Sequence, residues 1–147
     1  MNDCTDDEPF CLTNDTDDCG VCGGDNTSCT GCTNEIAWNH CESCTIDDSS
    51  CIYIPDNFGF SQSTAQAFYF VLDADILSDD LVVNEDWIGV FNGEVCVGSL
   101  PWNGPYSSIP AMGDDGTEWI QGYLNTGDFP TFKIYDGSKN QYYGAEA

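Results

Sequence analysis

The chain has 147 residues, of which 26 are Asp or Glu, and its only Lys or Arg residues are Lys133 and Lys139, which leaves a net charge of -24. This length accommodates one medium-sized domain and an appendage. The charge excludes nucleic acid and anionic membranes as partners, because binding phosphate requires cations. No apolar run approaches the ~20 residues of a membrane-spanning segment, so no membrane insertion is expected.

Cysteines divide the chain into an arm, residues 1–51, and a domain, residues 52–147. The arm is too polar to bury a core, so disulfides or metal ions must staple it. Such a cysteine content in an acidic chain indicates an oxidising location, extracellular or at the cell surface. The start lacks the regions of a signal peptide, so we expect the mature portion of a longer secreted precursor. Nine of the ten cysteines lie in the arm: Cys4, Cys11, Cys19, Cys22, Cys29, Cys32, Cys41, Cys44 and Cys51.

Three C-x-x-C pairs follow one another in the arm, at Cys19/Cys22, Cys29/Cys32 and Cys41/Cys44. Such pairs are typical of zinc sites, but zinc thiolates belong mostly to reducing compartments, so we favour disulfides. A thioredoxin-like redox site lacks its βαβ context. Because nine is odd, we expect the tenth cysteine, Cys96, to bridge to an arm cysteine of its own or a neighbouring chain. Cys51 is the nearest in sequence, and a free thiol is the alternative.

Two further chemistries are indicated by short motifs. Asn14 and Asn26 each begin an N-x-Ser/Thr glycosylation sequon. Carboxylates on Gly-flanked loops allow a calcium site, with an unliganded acidic loop as the alternative. The candidate calcium ligands are Asp15, Asp17, Asp25, Asp114 and Asp115.

The segment 18–29, DCGVCGGDNTSC, has a close counterpart in other proteins. It resembles the cysteine-rich spacer of secreted thrombospondin-repeat metalloproteases, which also recurs in long surface proteins of environmental microbes. The resemblance implies a disulfide-knotted extracellular spacer. It does not imply protease activity, since the H-E-x-x-H zinc motif is absent.

Residues from 52 onward predict short strands separated by turns. A leading strand is expected at 52–54, a buried strand at 68–72 and another at 118–124. Asn92-Gly93 predicts a type I′ turn between strands 87–91 and 94–98, and 130–143 predicts a second hairpin. Without helical periodicity, the pattern predicts an all-β fold, an antiparallel immunoglobulin-like β-sandwich behind a mostly irregular, disulfide-rich arm.

The runs DWIGVFNGEVCVG (86–98), MGDDG (112–116) and GDFPTFKIYD (127–136) are similar to motifs of a β-sandwich domain from large secreted proteins of aquatic microbes. Related immunoglobulin-like domains look like subunits of extracellular fibrils, some joined by insertion of a neighbour's N-terminal strand. The resemblance therefore implies a fibril or surface protein.

These observations favour a structural subunit of an extracellular fibre or surface assembly, polymerising with copies of itself. We expect the arm, or a strand donated by residues 52–60, to form the joint. An enzyme is not expected, because His40 is the sole histidine and no nucleophile arrangement surrounds it. The alternative is a carbohydrate-binding or adhesion module that stacks glycans on Trp102 and Tyr106, which lie on a predicted loop, whereas Trp87 and Trp119 are expected in the core.

Overall fold

The computed structural model describes Cys11 and residues 15–146. The chain divides into two compact units, Met1–Tyr53 and Ile54–Ala147. The described residues contain no α-helix and only two 3-10 turns, Thr27–Cys29 and Glu118–Ile120. The predicted all-β fold is confirmed.

The first unit is a largely irregular arm. Its only described strands are β1 (Thr30–Gly31) and β2 (Ile46–Asp47), which pair in parallel. Among its described residues, four apolar side chains are buried, of which three are cysteines and the fourth is Ala37. Because so little apolar surface is removed from water, covalent bridges must supply the cross-links that a hydrophobic core supplies elsewhere.

The described residues of the second unit contain eight strands, all in antiparallel pairs. The strands are β3 (Gln66–Val71), β4 (Asp75–Ile76), β5 (Asp79–Asp80), β6 (Trp87–Asn92), β7 (Val95–Pro101), β8 (Ser107–Met112), β9 (Thr131–Asp136) and β10 (Gln141–Ala145). One sheet has the order β10-β9-β6-β7, a second joins β3 to β8, and β4 with β5 forms a small hairpin. β6 and β7 form the first predicted hairpin, and β9 and β10 the second.

The turn between β6 and β7 differs by one residue from the prediction. Asn92 still pairs with Val95, so the loop residues are Gly93 and Glu94. Of these two, only Gly93 has a positive φ, 62°. That combination is the pattern of a type II′ turn, whose first position favours glycine, rather than of a type I′ turn.

The inner face of the four-stranded sheet and the β3–β8 pair share one hydrophobic core. Ile88, Val90 and Val97 from the larger sheet lie in one buried cluster with Ile109 and Ala111 from β8. Tyr69 of β3 packs edge-on against Phe132 of β9, with ring centroids 5.3 Å apart. The two layers therefore form a sandwich with aligned apolar faces.

Residues 54–61, which form no strand, pack against part of the outer face of the four-stranded sheet. Phe58, fully buried, packs edge-on against Phe91 and Tyr135 at centroid distances of 5.4 and 6.4 Å. Ser99 donates a hydrogen bond to the Phe58 carbonyl at 2.8 Å. Gly89 lies beneath the ring, because a Cβ there would stand 3.0 Å from Phe58. The absence of a side chain at this mid-strand glycine therefore leaves the space that the Phe58 ring occupies.

Three local predictions are wrong. Residues 52–54 form no strand, since Pro55 begins the turn that delivers Phe58 to the sheet. Residues 118–124 form no strand; Glu118–Ile120 is a 3-10 turn, and Gly122 follows it with a φ of 85°. The strand at 68–72 forms as β3, but one of its faces is exposed, because no described layer covers it.

We expect Phe58→Ala to lower the free energy of unfolding by about 3–5 kcal/mol, because it empties a closed aromatic site. Gly89→Ala should also destabilise, because its methyl group competes with the same ring. Urea unfolding followed by tryptophan fluorescence measures both. Phe129→Ala is the control, since Phe129 is 94% exposed and its removal should change stability by less than about 0.5 kcal/mol. A Phe58→Ala effect as small as this would show that the segment does not stabilise the sheet.

Candidate functional site

Four disulfides connect the eight described cysteines of the arm. Only Cys41–Cys44 closes within one C-x-x-C motif, and the other two motifs contribute their cysteines to different bridges. Because sulfurs bonded to each other are not thiolates, these motifs form no zinc centre in this state. The bridges are Cys11–Cys22, Cys19–Cys29, Cys32–Cys51 and Cys41–Cys44.

The predicted bridge from Cys96 to the arm is wrong for this structure. Cys51 is bonded to Cys32, and Cys96 is a free, buried thiol on β7. Its sulfur lies 3.3 Å from the Phe58 carbonyl oxygen and 3.4 Å from that of Gly98. Burial raises the pKa of this thiol. The prediction counted cysteines and assumed that every thiol is oxidised, whereas the Cys96 thiol is enclosed by packing. Cys4 lies outside the described residues.

Acidic side chains in the arm bind backbone amides. Asp17 accepts hydrogen bonds from the N–H groups of Val21 at 2.8 Å and of Cys19 and Asn26 at 2.9 Å. These donors, Val21 foremost, lower the pKa of the Asp17 carboxyl. Asp25 similarly accepts from the hydroxyl and N–H of Thr27, which lowers its pKa. Both carboxylates therefore organise the loop that carries the spacer motif.

In the domain, the two adjacent acids have different roles. Asp115 accepts five hydrogen bonds, from the N–H and hydroxyl groups of Thr64 and Thr117 and from the hydroxyl of Ser63, at 2.8–3.1 Å. Its pKa lies far below the usual range, chiefly because of the Thr64 N–H. Asp114 accepts one bond, from Gly116 N–H, and is exposed. Asp115 thus ties the residues before β3 to the loop after β8.

The predicted calcium ligands do not converge. Among the described residues, the only group of three potential metal-binding side chains is Cys11, Asp15 and Cys22, and two of these share a disulfide. Calcium binding stays a prediction. The sequon asparagine Asn26 uses its side-chain oxygen to accept from Asp18 N–H at 2.8 Å, while Asn14 lies outside the described residues. Glycosylation also stays a prediction.

The predicted exposures of two tryptophans, Trp102 and Trp119, are reversed in the structure. Trp102 is 4% exposed and belongs to the core, whereas Trp119 is 72% exposed; Tyr106 is exposed as predicted and Trp87 is buried as predicted. Period-two alternation could have placed Trp102, because Gly98, Leu100 and Trp102 continue one face of β7. Trp119 lies on the 3-10 turn whose next residue, Ile120, is fully buried.

An apolar groove opens between the two sheets at one side of the sandwich, and sequence reasoning missed it. β3 and β10 flank it, and each has a single hydrogen-bonded neighbour, β8 and β9 respectively. We call this space, about 760 Å³ in volume, the edge groove. Its apolar lining includes Val71, Ala74, Ile76, Phe132, Tyr143 and Ala145.

β3 is apolar on both faces. Tyr69 and Val71 face the core, whereas Phe68 and Phe70 on the opposite face are 55% and 72% exposed, and Leu72 beyond the strand end is 66% exposed. A strand that is apolar on both sides is typical of a layer covered on both sides. Here the outer face and one edge of β3 are open in the described residues. Exposed apolar patches are typical of interaction surfaces.

No family model, no curated protein and no solved structure matches this chain. The described residues contain no helix long and apolar enough to span a bilayer. The multiple disulfides indicate a secreted or extracellular protein.

We expect Cys96 to be the free thiol of the domain. Alkylation of the unreduced protein should modify Cys96 in denaturant and be about tenfold slower or more in native buffer, because the thiol is enclosed and its pKa raised. Peptide mapping by mass spectrometry without reduction measures the modification and the four bridges together. Recovery of Cys96 joined to an arm peptide would restore the predicted bridge.

Acid should weaken the domain through Asp115 and Asp136. Hydrogen bonds from Lys139 and Ser138 lower the pKa of Asp136 to about 2. Because both carboxyls have lowered folded-state pKa values, their contribution is full above the unfolded pKa of about 4 and is lost as pH falls toward about 2. Urea unfolding between those pH values should therefore show decreasing stability. Asp115→Asn should flatten this decline, and Asp114→Asn is the matched control for loss of one charge. Equal slopes in the two variants would contradict the assignment to Asp115.

Proposed function

We propose that this chain is a structural subunit of an extracellular fibre or surface assembly, and that copies join by strand addition at the edge groove. The observation that carries the proposal is the open edge of β3 beside an apolar groove. An extended segment of a second copy would pair with the free N–H and C=O groups of β3. Its alternate side chains would enter the groove and complete the core.

The location of the groove changes which residues can form the joint. Residues 52–60 were the expected donor strand, with the arm as the other expected joint, but Phe58 engages this segment with its own sheet. Releasing it would uncover Phe91 and break the hydrogen bond from Ser99. We therefore assign it to the subunit's own stability, and place the acceptor at β3 and the groove.

The arm supports a spacer role within such an assembly. Its resemblance to cysteine-rich spacers of secreted proteins concerns residues 18–29, and there Cys19 and Cys22 bridge to Cys29 and Cys11. Covalent closure gives a short polar segment a defined shape without a core. The further resemblance, to the sandwich domains of aquatic microbial surface proteins, agrees with the same function and remains part of the proposal.

The negative charge of the chain determines the solution conditions under which copies could assemble. Copies that each carry a net charge of -24 repel one another, over about 10 Å at 0.1 M salt. Asp73, Asp75 and Glu146 line the edge groove itself. Screening salt or divalent cations such as calcium should therefore favour close approach of copies.

We expect the protein to form larger species as its concentration rises in salt with calcium, measured by sedimentation velocity. Ala145→Lys should raise the concentration required by about tenfold or more, because an ammonium group in a filled apolar groove loses its hydration. Thr131→Lys is the matched control, since Thr131 is exposed and, paired with Phe91, lies on the opposite face of the same sheet.

Both variants add one positive charge, so a general electrostatic effect would act on them equally. Thermal unfolding of each variant checks that the domain is intact. A wild-type protein that stays monomeric at every concentration with calcium present would overturn the proposal. Equal behaviour of the two variants would move the joint away from the groove.

A further inference from the structure

Trp119 is exposed, although the turn that carries it is attached to the domain. Its neighbour Ile120 is fully buried and anchors the 3-10 turn in the core, while the indole remains 72% exposed. The turn is bound to the hairpin end by Asn92, whose side-chain amide donates to the Gly122 carbonyl at 3.0 Å. The Tyr123 hydroxyl accepts from Ser61 N–H at 2.6 Å. An exposed tryptophan on a fixed turn offers a flat apolar surface at little cost in conformational entropy.

Trp119 lines a shallow pocket of about 410 Å³. Residues 57–61 form one wall, the hairpin end from Glu94 to Cys96 forms another, and the turn from Trp119 to Tyr123 completes the pocket. Its volume lies within the range of small-ligand sites. The edge groove is lined by a different set of residues, so the two surfaces are independent.

The polar groups of this pocket suit a neutral, hydroxylated ligand. The exposed side-chain amides of Asn57 and Gln121 have no hydrogen-bond partner in the described residues, and each offers a carbonyl acceptor and an NH₂ donor. Glu94 opposes an anionic ligand. It is already paired with Lys133 at 2.9 Å, which weakens its attraction for a cationic one. An aromatic plane flanked by amides can stack on the C–H face of a sugar ring and bind its hydroxyl groups.

We propose that the Trp119 pocket binds a neutral glycan. The indole stacks on one sugar ring, and Asn57 and Gln121 bind hydroxyl groups at its edge. The site gives the subunit a contact with uncharged polysaccharide that does not depend on self-assembly. Stacking on one exposed ring predicts modest affinity for a single unit, which repetition along an assembly would multiply.

Affinity electrophoresis in native gels tests this site with galactomannan, xyloglucan and mixed-linkage β-glucan as the neutral probes. At least one should retard the protein, whereas the polyanion alginate should not. Trp119→Ala should raise the dissociation constant about tenfold or more, and Trp119→Phe should retain part of the binding. Phe129→Ala is the matched control, because Phe129 is exposed but does not line the pocket, and it should bind like wild type.

The absence of retardation by all three neutral polysaccharides would overturn the proposal, as would unchanged binding of Trp119→Ala. Because Trp119 lies outside the edge groove, Trp119→Ala should assemble like wild type. Failure of glycan binding is therefore distinguishable from failure of assembly.

Discussion

Insertion of Phe58 between Phe91, Tyr135 and Tyr142 determines how the domain's outer face is organised. The Phe58 ring needs the space left by Gly89, and the backbone carbonyl of Phe58 accepts a hydrogen bond from the Ser99 hydroxyl. The same carbonyl lies beside the Cys96 thiol. The position of Phe58 thus accounts for a glycine in a buried strand and for a buried serine, and it helps to enclose the Cys96 thiol. It also takes residues 54–61 out of strand pairing.

Much of the acidity of this chain has a local structural use. Asp17, Asp115 and Asp136 accept hydrogen bonds from several donors each, and their pKa values are lowered as a result. With only two lysines and no arginine, most of these hydrogen bonds come from backbone N–H groups and Ser or Thr hydroxyls, while Asp136 also pairs with Lys139. This replaces ion pairs by hydrogen bonds to charged acceptors, which are stronger than neutral ones. The loops are therefore ordered by acids that composition alone assigns to solvent or to calcium.

Alternation and turn residues were enough to find both hairpins, the all-β class and the disulfide-rich arm, because these depend on local sequence. The exposed face of β3 could not be found this way, since F-Y-F-V-L has the composition of a covered strand whether or not a covering layer exists. The exposure of Trp102 and Trp119 was predicted the wrong way round. Trp102 was assigned to a loop, although the alternation of core-facing residues that includes Leu100 continues to it. Cysteine parity failed at Cys96 because counting thiols takes no account of burial. The edge groove depends on which strands end each sheet, a tertiary property with no local signal.

The order of the bridges gives the arm a definite mechanical character. Cys11–Cys22 and Cys19–Cys29 interlock, and Cys41–Cys44 is nested inside Cys32–Cys51. Between Cys11 and Cys51, the described bridges therefore leave only the short stretch from Cys29 to Cys32 without a covalent bypass. Under tension, the chain inside each loop cannot be drawn out to its extended length of ~3.5 Å per residue. A pull along the polypeptide could therefore lengthen this part of the arm only as far as its bridges allow.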